Sequence, residues 1–251
     1  MRTFVGLTGA SGHHYSERLI QALVEAGHSV DLSITPSGCK VLRHERGIDG
    51  GVQGEKLAAA LPDWLGAAIA AKVRVFVADA VEAPPSSGTS LTGGVILCPC
   101  SMGTLARVSV GFSSNLVERA ADVALKEGRR LLIVPRETPL SEIHLENMLR
   151  LARLGAIVLP AMPGFYHGPK SINDLVDHVV GKILDRMEVV HDRGARWKGL
   201  AQATSEPDSE PGIDSPLPPS TPDQSELVRG EPVNIEDPTK PERGPAADTA
   251  R

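Results

Sequence analysis

The residues best suited to chemistry lie in short polar segments just after apolar runs. Gly9-Ala10-Ser11-Gly12 follows the run from Thr3 to Leu7. Glycines there let a backbone approach a ligand closely, and Ser11 adds a hydroxyl donor. A helix opening directly afterwards presents free N–H groups and a positive dipole end, which suits a phosphate. The dinucleotide fingerprint is absent, because its third glycine spacing is missing. A tight strand-to-helix turn with no ligand accounts for the same residues.

Cys98-Pro99-Cys100-Ser101-Met102-Gly103-Thr104 sits at a second such end. Ser101 and Thr104 stand three residues apart at a helix start, on one side, where both can donate to an anion or a ring carbonyl. Two cysteines without a second pair are a poor zinc signal, and Cys98 reads as packing. Pro135-Arg136-Glu137-Thr138-Pro139 follows the apolar run Leu131 to Val134. Arg136 suits bidentate anion recognition, and Glu137 suits acid–base work if partly buried. An ion pair stitching the loop also explains them. Phe165 to Lys170 brings the phenol of Tyr166, while His167 reads as a solvated loop histidine. Lys126 ends a helix, where a cation is favourable for the dipole alone. Lys182 reads as a solvated face residue of the last helix.

The elements that position these groups alternate in type. Strands are expected at Thr3–Leu7, Val30–Ile34, Val73–Val77, Val95–Cys98, Leu131–Val134 and Ala156–Leu159. Helices are expected at His14–Ala26, from Thr35-Pro36-Ser37 onward, and at Leu57–Ala71. Others are expected from Ser101 onward and at Ala120–Lys126, Leu140–Leu154 and Ser171–Met187. Ala83 to Gly94 reads as a loop. The alternation implies an α/β protein, a three-layer Rossmann-like sheet of parallel strands with helices on both faces. Ligands in such sheets bind beyond the carboxyl ends of the strands, where the polar segments fall.

Composition divides the chain near residue 199. Residues 200–251 hold ten of the 20 prolines and no Phe, Tyr or Trp. They carry a net charge of −7 against −5 for the whole chain, so residues 1–199 carry +2. So polar a segment cannot bury enough apolar surface to offset its ordering entropy and is expected to be a disordered, acidic, Pro-rich tail. Residues 1–199 are expected to form one domain. Three cysteines make no disulfide framework and suit a reducing, cytoplasmic compartment. No apolar run approaches the roughly 20 residues of a membrane span, and the strand-like start predicts no secretion signal. The near-neutral domain offers no electrostatic case for nucleic acid.

Taken together the motifs resemble a known family. Gly9 to Gly12, Cys98 to Thr104, Ala120-Ala-Asp-Val-Ala-Leu-Lys-Glu127, Val134 to Pro139, Ile143-His-Leu-Glu-Asn-Met148 and Pro163-Gly-Phe-Tyr-His167 occur in the order found in flavin prenyltransferases (UbiX-like). The resemblance covers about residues 1–198. It implies a flavodoxin-type FMN-binding flavoprotein domain at 1–199 and a homododecamer with FMN at subunit contacts. It further implies transfer of a dimethylallyl group from dimethylallyl phosphate to N5 and C6 of reduced FMN, without a metal. The prenylated FMN would serve a UbiD-type decarboxylase. By motif, Gly9, Ala10, Ser11, Thr35 and Ser37 match the FMN phosphate site, and Ser101, Met102, Gly103, Thr104 and Arg136 match further flavin contacts. Lys126, Arg136, Tyr166 and Lys182 match groups around the donor phosphate, with Glu137 and Lys126 catalytic. Lys182 stands where some members have Arg, so a bidentate grip becomes a point charge. Val81 stands where some members carry Trp. A flavin-dependent decarboxylase of peptidyl cysteine and a non-catalytic flavin carrier are the rival readings.

Truncation after Gly199 is expected to leave assembly and FMN binding intact, because the removed segment lacks apolar anchors. Size-exclusion chromatography and flavin titration check this; loss of the assembly would give the tail a structural role.

Overall fold

Short apolar runs separated by amphipathic segments build a single parallel sheet. A computed structural model describes residues 1–90 and 92–194, which belong to the compact unit Met1–Gly199. The expected disorder of residues 200–251 lies outside the described residues. The strands are β1 (Arg2–Leu7), β2 (Ser29–Ile34), β3 (Val73–Phe76), β4 (Val95–Cys100), β5 (Leu131–Pro135) and β6 (Ile157–Val158). The helices are α1 (His13–Glu25), α2 (Pro36–Arg46), α3 (Leu57–Leu65), α4 (Ala67–Ala70), α5 (Met102–Ser109), α6 (Leu116–Lys126), α7 (Glu142–Arg153) and α8 (Ile172–Arg186). The strand order is β3-β2-β1-β4-β5-β6, and every pairing is parallel. The order reverses between β1 and β4, the point at which such sheets open a crevice.

Strand alternation divides the sheet between two cores. Val5, Leu7, Ile96, Cys98, Leu132 and Val134 face the helices α1, α2, α3 and α8. Phe4, Val95, Leu97, Cys100, Leu131 and Ile133 face α5, α6 and α7. This is the expected three-layer architecture with helices on both faces. Each large apolar side chain fully buried here stabilises the fold by roughly 1.5–3 kcal/mol. α1 buries Leu19, Ile20 and Leu23, and α8 buries Val176, Val179, Val180, Ile183 and Leu184, each set at helical spacing.

The expected loop Ala83 to Gly94 holds a short 3-10 helix at Pro84–Ser86, β6 is shorter than expected, and three further departures shape the layout. The segment Leu57–Ala71 is two helices, because Gly66 takes φ +86° and ψ 148°, a conformation open essentially to glycine. α6 begins at Leu116 rather than Ala120, with Asn115 capping it by accepting from the Glu118 N–H at 3.0 Å. β4 continues through Pro99 to Cys100, with a register shift against β5 between Leu97 and Cys100. Proline removes a ladder donor from this central strand, so the ladder is interrupted where the strand enters the crevice.

α7 carries exposed apolar residues on the flanks of its buried side. Ile143, Leu145 and Leu149 are exposed, and Leu151 is its buried anchor.

α6 is held by one buried carboxylate. Glu118 is fully buried and takes hydrogen bonds from the Ser114 N–H at 2.9 Å, the Ser114 hydroxyl at 2.7 Å, and Arg107 Nε. Burial alone would raise its pKa. Ser114 and Arg107 more than offset that and hold it below the ordinary carboxylate range. Its contribution is therefore full above the unfolded-state pKa and lost as pH falls through the lower folded-state value. Glu118→Ala is expected to cost about 2–3 kcal/mol by stranding these donors. Thermal melts of both proteins at neutral and acid pH check this, the gap narrowing in acid.

Candidate functional site

The carboxyl edge of the sheet gathers the loops after β1, β2, β4 and β5. Thr8, fully buried, ties two of them together. Its hydroxyl donates to the Pro99 carbonyl at 2.9 Å and accepts from the Ser101 N–H at 2.7 Å. Arg136 ties in a third, its Nε donating to the Ser11 carbonyl at 3.1 Å. α2 joins through two glycines. A Cβ on Gly38 would lie 3.1 Å from the Leu7 and Thr8 carbonyls, and one on Gly9 would lie 2.6 Å from Ser37 Cβ. Close packing of the β1 loop on α2 therefore requires glycine at both places.

The N-terminus of α1 already holds an anion. Glu45, at the end of α2, accepts from the Gly12 N–H at 3.0 Å and the His13 N–H at 2.9 Å. Burial would raise its pKa, but the Ser11 hydroxyl and these two N–H groups outweigh it and keep the carboxylate ionised. Gly12 takes φ +118° to turn the chain into this clasp. His13 is fully buried, and burial pushes its imidazole down to about 4 against the pull of Glu45. It adds no positive charge near neutral pH. Gly9, Ala10 and the exposed Ser37 border the same loop, with Ser37 in the first turn of α2. Thr35 is buried and caps α2 through the Gly38 N–H at 3.1 Å.

On the β4 side, Ser101 caps α5 by accepting from the Thr104 N–H at 3.3 Å. Met102 and Thr104 are buried, and the Thr104 hydroxyl takes hydrogen bonds from Ser101 and Arg107. Ser101 and the exposed Gly103 are the members of this segment that reach the surface. Cys98 and Cys100 are fully buried, and burial pushes the Cys100 thiol up to about 12 and the Cys98 thiol higher still. Both are protonated packing groups. Glu137 is half-buried and accepts from the Thr138 N–H at 3.1 Å. Beside it a cleft of about 60 Å³ opens, polar at Arg136 and Glu137 and apolar at Leu140, Met148 and Met162.

Two further sets lie elsewhere. Tyr166 reaches back to α8, where its hydroxyl stands 3.0 Å from His178 Nε2, one turn before Lys182. Lys182 is about 15 Å along α8 from its start, at 1.5 Å per residue. Lys126 closes α6 and pairs with Glu127, beside Gly88. It lies at the amino edge of the sheet, since β5 begins only at Leu131 and runs its whole length before Arg136. Five strand residues at about 3.3 Å each separate the two edges by roughly 16 Å. One protomer therefore does not bring Lys126 to Arg136.

Comparison with known proteins agrees with the fold. The Flavoprotein family model matches residues 1–185. Flavin prenyltransferase UbiX from Halalkalibacterium halodurans is 49% identical over 193 residues, covering 77% of this chain and 91% of the relative. The crystal structure of AnUbiX (PadA1) in complex with FMN and dimethylallyl pyrophosphate superposes with a TM-score of 0.69 at 37% identity, over 79% of this chain and 97% of that one. This chain belongs to the flavin prenyltransferase family. A dodecameric FMN-dependent UbiX-like decarboxylase from Escherichia coli O157:H7 also superposes at 0.69, with 40% identity over 79% of this chain and all of that one.

A flavin prenyltransferase must hold the FMN phosphate, and beside the Glu45 clasp the exposed Ser37 hydroxyl in the first turn of α2 borders the Gly9–Ser11 loop. The Gly9–Ser11 loop lies against Ser37 with no room for a further Cβ. Glu45 escaped the sequence reading because it lies 33 residues from Gly12 and joins it only through the fold. His178 escaped it too, carrying no local motif.

Gly9→Ala is expected to weaken FMN binding at least tenfold, because the added methyl would push Ser37 out of the cradle. Titration by flavin fluorescence checks this. Wild-type affinity would detach the loop from the flavin.

Proposed function

We propose that this chain transfers a dimethylallyl group from dimethylallyl phosphate to N5 and C6 of reduced FMN, making prenylated FMN for a UbiD-type decarboxylase. The observation that carries this reading is the likeness to AnUbiX, which holds both FMN and a dimethylallyl donor. Reduced FMN supplies the nucleophilic atoms that take the prenyl group. Gly9, Ala10, Ser11, Thr35 and Ser37 hold and shape the phosphate end. Ser101 to Thr104 and Arg136 support the ring side. The allylic C–O bond breaks with its electrons leaving on phosphate. Lys126, Arg136, Tyr166 and Lys182 stabilise that charge electrostatically. Glu137, beside the cleft, exchanges the proton that neutralises it. The apolar wall at Leu140, Met148 and Met162 excludes water from the allylic carbon.

Because one protomer leaves Lys126 at the far edge, a neighbouring copy supplies it. The chain therefore works as a homo-oligomer, and the dodecameric relative supports this. No helix among the described residues is long and apolar enough to cross a membrane. Cys39, Cys98 and Cys100 are free, which supports a cytoplasmic location. Residues 1–199 form the working domain, and residues 200–251 take no part in catalysis.

Incubation with reduced FMN and dimethylallyl phosphate is expected to add one prenyl group to the flavin mass. An unmodified flavin would favour a carrier, and loss of carbon dioxide from a cysteine peptide would favour a decarboxylase. Glu137→Gln is expected to bind FMN nearly as well while prenylating it ~10²-fold or more slowly. Wild-type turnover by single-turnover kinetics would remove Glu137 from the mechanism.

A further inference from the structure

We propose that His178 is a positioning residue that fixes the hydrogen-bond polarity of Tyr166, making the phenol a donor toward the substrate phosphate. The proposal rests on the reading in which Tyr166 binds the prenyl donor. It follows from a chain of three groups. The Gly164 N–H lies 3.2 Å from His178 Nδ1, and a backbone N–H can only donate. Nδ1 must therefore offer its lone pair. The neutral ring then carries its proton on Nε2. Tyr166 Oη lies 3.0 Å from that nitrogen, so it accepts. The phenol's own proton is turned away from His178, where a phosphate oxygen can take it. The opposite tautomer would make Tyr166 donate into the ring and present lone pairs to an anion.

The local packing builds this chain in. A Cβ on Gly164 would fall 2.7 Å from Tyr166 Cε1 and 3.4 Å from His178 Cε1, so glycine alone lets the N–H and both rings meet. The His167 ring stacks on His178, with centroids 5.0 Å apart and planes 5° from parallel, and Tyr166 stands edge-on to both rings.

Burial and the neighbouring groups disfavour a second proton on His178. Burial lowers its pKa, and His167 and Lys182 lower it further. The nearby carboxylates are engaged elsewhere. Asp177 pairs with Arg18 of α1 and with Arg193, while Asp174 accepts from the Lys170 and Ser171 N–H groups. A second proton on His178 would set Nδ1–H against the Gly164 N–H and break that link alone, since Nε2–H still donates to Tyr166.

The test uses the full-length enzyme. His178→Phe is expected to raise KM for dimethylallyl phosphate roughly three- to tenfold, the worth of one hydrogen bond, with FMN affinity within about twofold of wild type. His178→Gln, whose amide can accept from Gly164 and donate to Tyr166, is expected to restore much of the loss. Solid-state 15N NMR of histidine-labelled wild type, with His178 assigned by its loss in the Gln variant, should show protonated Nε2 and bare Nδ1. An Nδ1–H signal, or an unchanged donor KM in His178→Phe, overturns the proposal. Tyr166→Phe separates the levels. If it raises donor KM while His178→Phe does not, the proposal alone fails; if it leaves donor KM unchanged, both readings fall.

Discussion

One buried hydroxyl joins the two halves of the site. Thr8 closes β1 and grips both sides of the β4 end, taking the Ser101 N–H and giving its own proton to Pro99. β1 and β4 are neighbours at the reversal of strand order, so their loops diverge there and leave a crevice. Nothing in the ladder can hold the two loops once β4 passes Pro99, which has no N–H. Thr8 supplies the missing link from a side chain. Thr8 thereby links Ser101 to the end of β1, from which the Gly9–Ser11 loop runs on to Arg136 through the Ser11 carbonyl.

The elements were legible because their signals are local. Buried parallel strands read as short apolar runs, and all six strand starts fall within one residue of expectation. Where the reading slipped, the cause was also local but overridden. Ala-rich residues favour one helix through Gly66, yet the glycine's backbone freedom breaks it. The site was legible as motifs and illegible as an arrangement. Ser101 and Thr104 share a helix start, but only the fold shows Thr104 turned into the interior against Arg107. Glu45 and His178 act on partners 33 and 12 to 14 residues away, with no spacing rule to announce them.

The Glu45 clasp also revises what the first loop is for. A helix N-terminus attracts any anion, and here the Glu45 carboxylate has taken the first α1 N–H groups. Kept ionised by three donors, it fixes the loop's shape before any ligand arrives. A flavin phosphate would then use the other face of that loop and Ser37, and would meet a preformed surface. Preorganisation of this kind lowers the ordering cost of binding. The dipole thus contributes rigidity more than direct attraction.

Separation of the cations places a further constraint on the proposed chemistry. Lys126, Arg136 and Lys182 would have to converge on one leaving phosphate, yet within a protomer they sit at the amino edge, the carboxyl edge and along α8. Bringing like charges together without an anion between them is unfavourable, and the cost grows as water is excluded. Holding them apart in the single chain avoids that cost during folding. On the proposed chemistry, assembly would then create a strongly positive pocket where subunits meet, and the donor phosphate would offset the repulsion as it binds. On this reading a protomer that folds but does not assemble can retain the shaped flavin loop while lacking the charge that drives C–O cleavage.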